Sequence, residues 1–177
     1  VLSIESDLLK SGLQADEGGS FDIQLATFTD SDPTDTHTAS IDWGDDSESE
    51  GTVDQTNGTV SGSHTYTDDG GSPFTVTVTV EDESEGSDTG TIQAVVANVA
   101  PVVDAGTNQQ ATEGVQITLA ATFSDVGAVD THAATIDWGD GTVETLKPPA
   151  THDSGEQGVL TVGTLVDSHQ YLDNDED

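Results

Sequence analysis

The sequence predicts an all-β chain of two tandem antiparallel β-sandwiches, the second lacking its last strands. Three observations carry that reading. The first is internal repetition. Ala26-Thr27-Phe28-Thr29-Asp30 returns as Ala121-Thr122-Phe123-Ser124-Asp125. Asp35-Thr36-His37, followed by Ile41-Asp42-Trp43-Gly44-Asp45, returns as Asp130-Thr131-His132, followed by Ile136-Asp137-Trp138-Gly139-Asp140. Both blocks recur at the same spacing, Asp35 to Asp130. His64-Thr65-Tyr66 returns as His169-Gln170-Tyr171. A repeat of this length is a whole domain and not a solenoid turn. The second observation is alternation: short runs of period two lie between clusters of Gly, Asp, Ser and Asn, the pattern of an all-β chain. The third is that copy one continues beyond Tyr66 with two strand-like runs, at 74–80 and 91–99, whereas the sequence ends at Asp177, soon after Tyr171.

Each strand of copy one has its own justification. Strand A is placed at 8–13. Strand B covers 20–28, where Phe21, Ile23 and Leu25 alternate and Phe28 falls out of phase. An extra residue in a strand is a β-bulge, and without it Phe28 would point to solvent. Strand C covers 38–43, with Ala39, Ile41 and Trp43 on one face. Strands D and E lie near 51–55 and at 59–66. Strand F covers 74–81, with Val76, Val78 and Val80 inward and the threonines outward. Strand G is at 91–99. Seven short strands of this spacing predict two facing sheets. Copy two reads as A at 102–104, B at 115–123 with Ile117, Leu119, Ala121 and Phe123 in phase, and C at 133–138. An enlarged region follows around Lys147-Pro148-Pro149-Ala150. The domains are 1–99 and 100–177, joined by a short linker that Pro101 stiffens.

Composition excludes several function classes. There are 35 Asp plus Glu against 2 Lys plus Arg, a formal net charge of -33. So few cations leave nothing to neutralise phosphates, which excludes nucleic acid. An anionic membrane surface is excluded on the same ground. No run of 18 apolar residues occurs, so no membrane insertion by a helix is expected. The absence of cysteine removes any disulfide framework. Val1-Leu2-Ser3-Ile4-Glu5 has neither a basic region nor a long apolar run, so it does not read as a signal peptide. The chain reads as a mature segment of something longer.

Ile-Asp-Trp-Gly-Asp, then His-x-Tyr, then a Thr/Val strand, resembles the polycystic kidney disease (PKD) domain, most of all the bacterial PKD-like repeats of large secreted proteins. The resemblance spans nearly the whole chain. Copy one departs at Asp46, where the family usually has Gly; copy two keeps Gly141. The resemblance implies an immunoglobulin-like β-sandwich, an extracellular or cell-surface location, and spacing, adhesion or protein and carbohydrate contact in place of catalysis.

Several residue types present here can carry chemistry in other settings. Trp43 and Trp138 lie on the apolar phase of strand C and read as core. Tyr66 and Tyr171 resemble tyrosine corners. Asp45 and Asp140 read as turn caps after a glycine. His37, His64, His132 and His169 read as hydrogen-bonded structural histidines, because a zinc site would need them to converge. No nucleophile elbow and no matched carboxylate pair is present, so the chain is not read as an enzyme.

Two readings of the acidic loops stand side by side: a solvated acidic surface without metal, and calcium, since clustered carboxylates on loops supply the six to eight oxygens it takes. Topology sorts the acidic loops by end. One end gathers Asp30, Asp32 and Asp35 of the B–C loop with Asp82 of the F–G loop. The other gathers Glu17, Asp68 and Asp69. Asp125 and Asp130 are the B–C loop acids of copy two. The loop geometry is similar to a calcium-stiffened joint of the cadherin kind. Expected partners are copies of the chain or neighbouring repeats end to end, by strand addition from Val1–Ile4, and surface glycans or proteins. The alternative function is an accessory module of a secreted polysaccharide- or protein-degrading enzyme.

Overall fold

The computed structural model describes residues 1–5, 12–32, 34–84, 86–146 and 159–172. It divides into two compact units, Val1–Asn98 and Val99–Asp177. Every regular element among the described residues is a strand.

Unit 1 contains β1 (Ser3–Glu5), β2 (Leu13–Asp16), β3 (Ser20–Thr29), β4 (His37–Asp42), β5 (Glu48–Asp54), β6 (Thr59–Thr65), β7 (Phe74–Asp82) and β8 (Ser87–Ala97). They hydrogen-bond in the order β1-β3-β6-β5-β4-β7-β8-β2. β5 pairs with both β4 and β6 and so joins the two faces of the sandwich. Between them lies one core of Leu25, Phe28, Ile41, Trp43, Val60, Tyr66, Val76, Val78, Val80, Ile92 and their neighbours. The alternation in β7 places Val76, Val78 and Val80 at no more than 2% exposure. The period-two pattern therefore reports the buried face directly.

The strand B irregularity is present. The β3–β6 register shifts between Gln24 and Ala26, and Leu25 and Ala26 are both buried. The slip returns Phe28 to the core. In unit 2 the matching strand, β10 (Gln116–Asp125), carries no such shift and pairs without interruption from Gln116↔Gln170 to Asp125↔Thr161.

One expectation needs correction, one lies outside the described residues and one meets a competing contact. The strand placed at 8–13 lies mostly in residues 6–11, outside the described residues. The described chain pairs on both sides of that gap: β1 with β3, and β2 with β8. The β2–β8 pair is parallel, from Leu13↔Ala94 to Asp16↔Ala97, whereas the sequence predicts antiparallel pairs throughout. The parallel course lets Leu13 close the core beside Ala94 and Val96. It also delivers the chain to a turn where Gly18 N–H donates to the Tyr66 carbonyl at 2.8 Å. Thirdly, Val1–Ile4 is already engaged within unit 1. Ser3, Ile4 and Glu5 pair with Thr29, Phe28 and Thr27, and Leu2 and Ile4 pack on the core. The Val1 ammonium bonds Asp30 Oδ1 at 3.2 Å and also Ser31 Oγ. Donation of this segment to a neighbour would first have to break these contacts.

Unit 2 contains β9 (Val102–Asp104), β10, β11 (Ala134–Asp137), β12 (Val143–Leu146) and β13 (Thr161–Gln170). They form a three-stranded sheet β13-β10-β9 and a two-stranded sheet β11-β12. The buried apolar cluster is small: Ala121, Phe123 and Leu165, with Leu119 and Ala134 packed against it. Trp138 is half-buried, not the core residue expected, whereas Trp43 is 1% exposed. In unit 1, β7 and β8 bring Val76, Val78, Val80, Ile92, Ala94 and Val96 into the core. The described residues of unit 2 hold no counterpart of these two strands.

Asp46 adopts φ 68° where Gly141 has φ 93°. An L side chain is disfavoured in this left-handed region. Asp46 is exposed at the surface of the turn, so little packing holds it there. Asp46→Gly is expected to stabilise unit 1 by about 0.5–1 kcal/mol after the entropy of the unfolded glycine is subtracted. Urea denaturation checks it, and a loss of stability would show that the Asp46 side chain has a role its backbone strain conceals.

Candidate metal centre

The turn after strand C is built identically in the two units. Gly44 N–H donates to Asp42 Oδ1 and Gly139 N–H to Asp137 Oδ1, each at 2.9 Å. Trp43 N–H reaches the Ser47 carbonyl and Trp138 N–H the Thr142 carbonyl, each at 3.0 Å. Asp45 and Asp140 cap these turns, accepting from the N–H groups of Ser47 and Thr142. Each then holds a histidine: His64 Nε2 to Asp45 Oδ2 at 2.9 Å, His169 Nε2 to Asp140 Oδ2 at 2.7 Å. The two imidazoles lie flat on the indoles, with ring centroids 4.7 Å apart for Trp43–His64 and 4.8 Å for Trp138–His169. The tyrosine hydroxyls close the motif by donating to the tryptophan carbonyls, Tyr66 to Trp43 at 3.1 Å and Tyr171 to Trp138 at 2.9 Å.

A second pair is also duplicated. His37 Nε2 meets Asp30 Oδ2 at 3.3 Å and its ring lies tilted against Phe28. His132 Nε2 meets Asp125 Oδ2 at 2.7 Å and its ring lies tilted against Phe123. Sequence reasoning missed these pairs. The signal was available: aspartate precedes histidine at the same spacing in both copies, Asp30 to His37 and Asp125 to His132. The histidines are thus structural, as expected, and each ring spends one nitrogen on a carboxylate.

Of the acidic residues expected to bind calcium, the structure brings three together at the end of β7. One carboxylate oxygen from each of Asp30, Asp35 and Asp82 lies within 4.8 Å of the other two. Asp30 follows β3, Asp35 lies in the loop before β4, and Asp82 ends β7, so the two predicted loops do meet. Burial acts to raise the Asp30 carboxyl, but the Asp32 N–H, the N-terminal ammonium, His37 and the Ser31 N–H together hold it down at about 2. Asp35 moves the other way. Its carboxyl is raised by burial and by the charge of Asp32, with Asp82 and Asp30 adding to the crowding. Asp82 also caps its own turn through the N–H groups of Ser84 and Gly86, each at 2.8 Å.

The remaining candidates are placed otherwise. Asp32 Oδ1 accepts from the Thr34 N–H at 3.0 Å and hydroxyl at 2.7 Å, which orients it as a turn cap. Asp68 accepts from Gly70 N–H at 2.8 Å. Glu17 is buried, and its Oε2 accepts from Asp69 N–H at 3.2 Å. Asp125 is buried against His132 and Val126 N–H. Asp130 is half-buried in the loop before β11. One acidic pair was not anticipated. Glu144 and Asp167 share a hydrogen bond that holds Glu144 above its usual range and Asp167 below.

The family model of the PKD domain matches residues 98–177. Unit 2 is similar to a PKD domain over that whole span. Residues 1–97 lie outside that match, yet unit 1 reproduces the Asp–His, His–Trp and Tyr–Trp pairs of unit 2 residue for residue. No curated protein matches the chain. Among the described residues, no helix is long and apolar enough to cross a membrane.

Proposed function

We propose that the chain is a non-catalytic extracellular structural and adhesive module of two PKD-type repeats, stiffened by calcium at the Asp30, Asp35 and Asp82 loops and contacting further repeats end to end. The observation that supports it best is the commitment of the same histidines, tryptophans and tyrosines to the same internal contacts in both units. These contacts hold strand C, its turn and the strand bearing the histidine, which fits a structural role. The tryptophans are not sugar platforms. One face of each indole is covered by a histidine ring, which weighs against the accessory-module reading.

Calcium suits the three-aspartate cluster because it accepts oxygen ligands in a flexible geometry and tolerates loop and water donors beside the carboxylates. A divalent cation would also relieve the like-charge crowding that raises Asp35. Bound at ten times its Kd, it would add about 1.4 kcal/mol to the folded state. For a unit of this size that is a rise in Tm of about 5–10 °C. Calcium is therefore expected to raise the Tm of unit 1 more than magnesium, or than sodium at equal ionic strength. Asp35→Asn is expected to remove the calcium-specific part without lowering Tm in a chelator. Equal shifts from all three cations would mean that a surface of charge -33 is simply being screened.

A further inference from the structure

Asn57-Gly58 is the single place in the sequence where glycine follows asparagine. It closes the turn between β5 and β6, with Asn57 exposed and Gly58 at φ 61°. Glycine takes positive φ without penalty, which suits the pair to such a turn. The same lack of a Cβ leaves the Gly58 nitrogen open to the side-chain amide that precedes it. Asp54 holds the turn. Its carboxylate accepts from the N–H groups of Thr56 and Asn57, at 2.9 and 3.1 Å, and from Asn57 Nδ2 at 2.7 Å. Its carbonyl accepts from Gly58 N–H at 2.9 Å. One residue therefore restrains both Asn57 Nδ2 and Gly58 N. The Asn57 side chain, with the N–H groups of Asn57 and Thr56, keeps the Asp54 carboxyl below its usual range, so this clamp is ionised at neutral and alkaline pH.

We propose that Asn57 is a site of spontaneous deamidation, and that the Asp54 clamp sets its rate in the folded chain. The Gly58 nitrogen, having given its proton to solvent base, attacks Asn57 Cγ. The bond from Cγ to Nδ2 breaks, and Nδ2 takes a proton from water and leaves as ammonia. Water then opens the succinimide at either carbonyl, leaving aspartate or an isoaspartyl link, and water is the sole co-reactant. Ring closure requires Gly58 N to leave the Asp54 carbonyl and Nδ2 to leave the Asp54 carboxylate. The negative charge of that carboxylate also opposes loss of the Gly58 proton. The isoaspartyl product carries an extra backbone carbon into a turn that has no slack. The Gly58 carbonyl accepts from Phe28 N–H at 2.8 Å, and a Cβ added to Gly58 would strike the Phe28 carbonyl oxygen. Gln55 of the same turn serves His37 as a neighbouring strand would: its Oε1 accepts from His37 N–H at 3.2 Å and its Nε2 donates to the His37 carbonyl at 2.6 Å. The modification therefore loosens the joint where β5 passes from β4 to β6, and with it the hold on Phe28 and His37.

The test incubates the full chain at mildly alkaline pH, folded and in urea, and locates by peptide mapping the mass gain of an amide converted to a carboxyl. That gain separates Asn57 from Asp69-Gly70 and Asp140-Gly141, where the same ring would form by loss of water and reopen without a change in mass. Conversion at Asn57 is expected in the folded chain, several times slower than in urea. Asp54→Ala should raise the folded rate at least fivefold, with hydrogen exchange in β7 and β8 showing that unit 1 remains folded. Asp54→Asn, which keeps an acceptor and loses the charge, should give an intermediate rate. Asn57→Gln should show no gain at this position over the same period. The purified isoaspartyl form should exchange faster at the Phe28 and His37 amides, with β7 and β8 unchanged. No conversion at Asn57 in any folded chain would overturn the site. Equal rates in folded and unfolded wild type, or in folded wild type and both Asp54 variants, would overturn the clamp. Unchanged exchange at Phe28 and His37 would overturn the loosening of the joint.

Discussion

Trp43→Ala is expected to cost unit 1 about 3–5 kcal/mol, the range for truncating a buried aromatic of this size. Trp43 is 1% exposed and joins several elements at once. Its ring meets Phe21 edge-on at 5.8 Å and carries the His64 imidazole on its face. Its Nε1–H donates to Ser49 Oγ at 3.0 Å. A Cβ added to Gly62 of β6 would lie 3.2 Å from the indole, so the facing strand is shaped to the ring. Truncation would leave a cavity that β3 and β6 cannot fill, and would strip the ring from under His64. Trp138→Ala, at the matching position of unit 2, is expected to cost less than half as much, because Trp138 is only half-buried and the transfer energy scales with the area removed from water. Chemical denaturation monitored by hydrogen exchange in β4 and β7, and separately in β10 and β13, resolves the two units. Near-wild-type stability of Trp43→Ala would remove the residue from the centre of the unit 1 core.

The contrast between the two tryptophans shows what was legible in the sequence. Phase is local, and the alternation Ala39, Ile41, Trp43 correctly assigns the inward face of β4. Burial is not local. Trp138 has the same phase but is half-buried, and the described residues of unit 2 hold no counterpart of β7 and β8. The bulge in β3 was legible because Phe28 broke period two, although the shift falls at Leu25, slightly earlier than the middle of the expected interval. The parallel pairing of β2 with β8 was not legible, since side-chain alternation carries no information on the direction of a neighbouring strand.

The candidate metal centre was legible in the same partial way. Loop topology correctly brought the loop before β4 to the end of β7, and with it Asp30, Asp35 and Asp82. It could not separate the acids that converge from those that only cap a turn. Asp32 belongs to the same loop and has the same chemistry, yet its carboxylate turns back on Thr34. Asp88 lies at that same end, but it accepts from the Ile4 N–H at 2.8 Å and thereby anchors β1. In a chain with 35 acidic residues, turn-forming aspartates outnumber any set that converges, and only the fold distinguishes them.

Gly44→Ala is expected to be strongly damaging although it leaves the core side chains untouched. Gly44 has φ 80°, where an alanine costs about 1–2 kcal/mol. The new Cβ would also sit 2.6 Å from the Thr75 oxygen and 3.0 Å from its nitrogen. These are backbone atoms in a paired strand, which cannot rotate aside, so overpacking adds about 1–3 kcal/mol. The sum, about 2–5 kcal/mol, should appear as faster exchange throughout β4 and β7. Gly139→Ala provides the control. Its φ is 81°, so the conformational penalty is the same, but no atom lies within 4 Å of the added Cβ. It is expected to cost about 1–2 kcal/mol and no more. Equal losses at the two glycines would mean that the contact with β7 contributes nothing and that only backbone conformation matters.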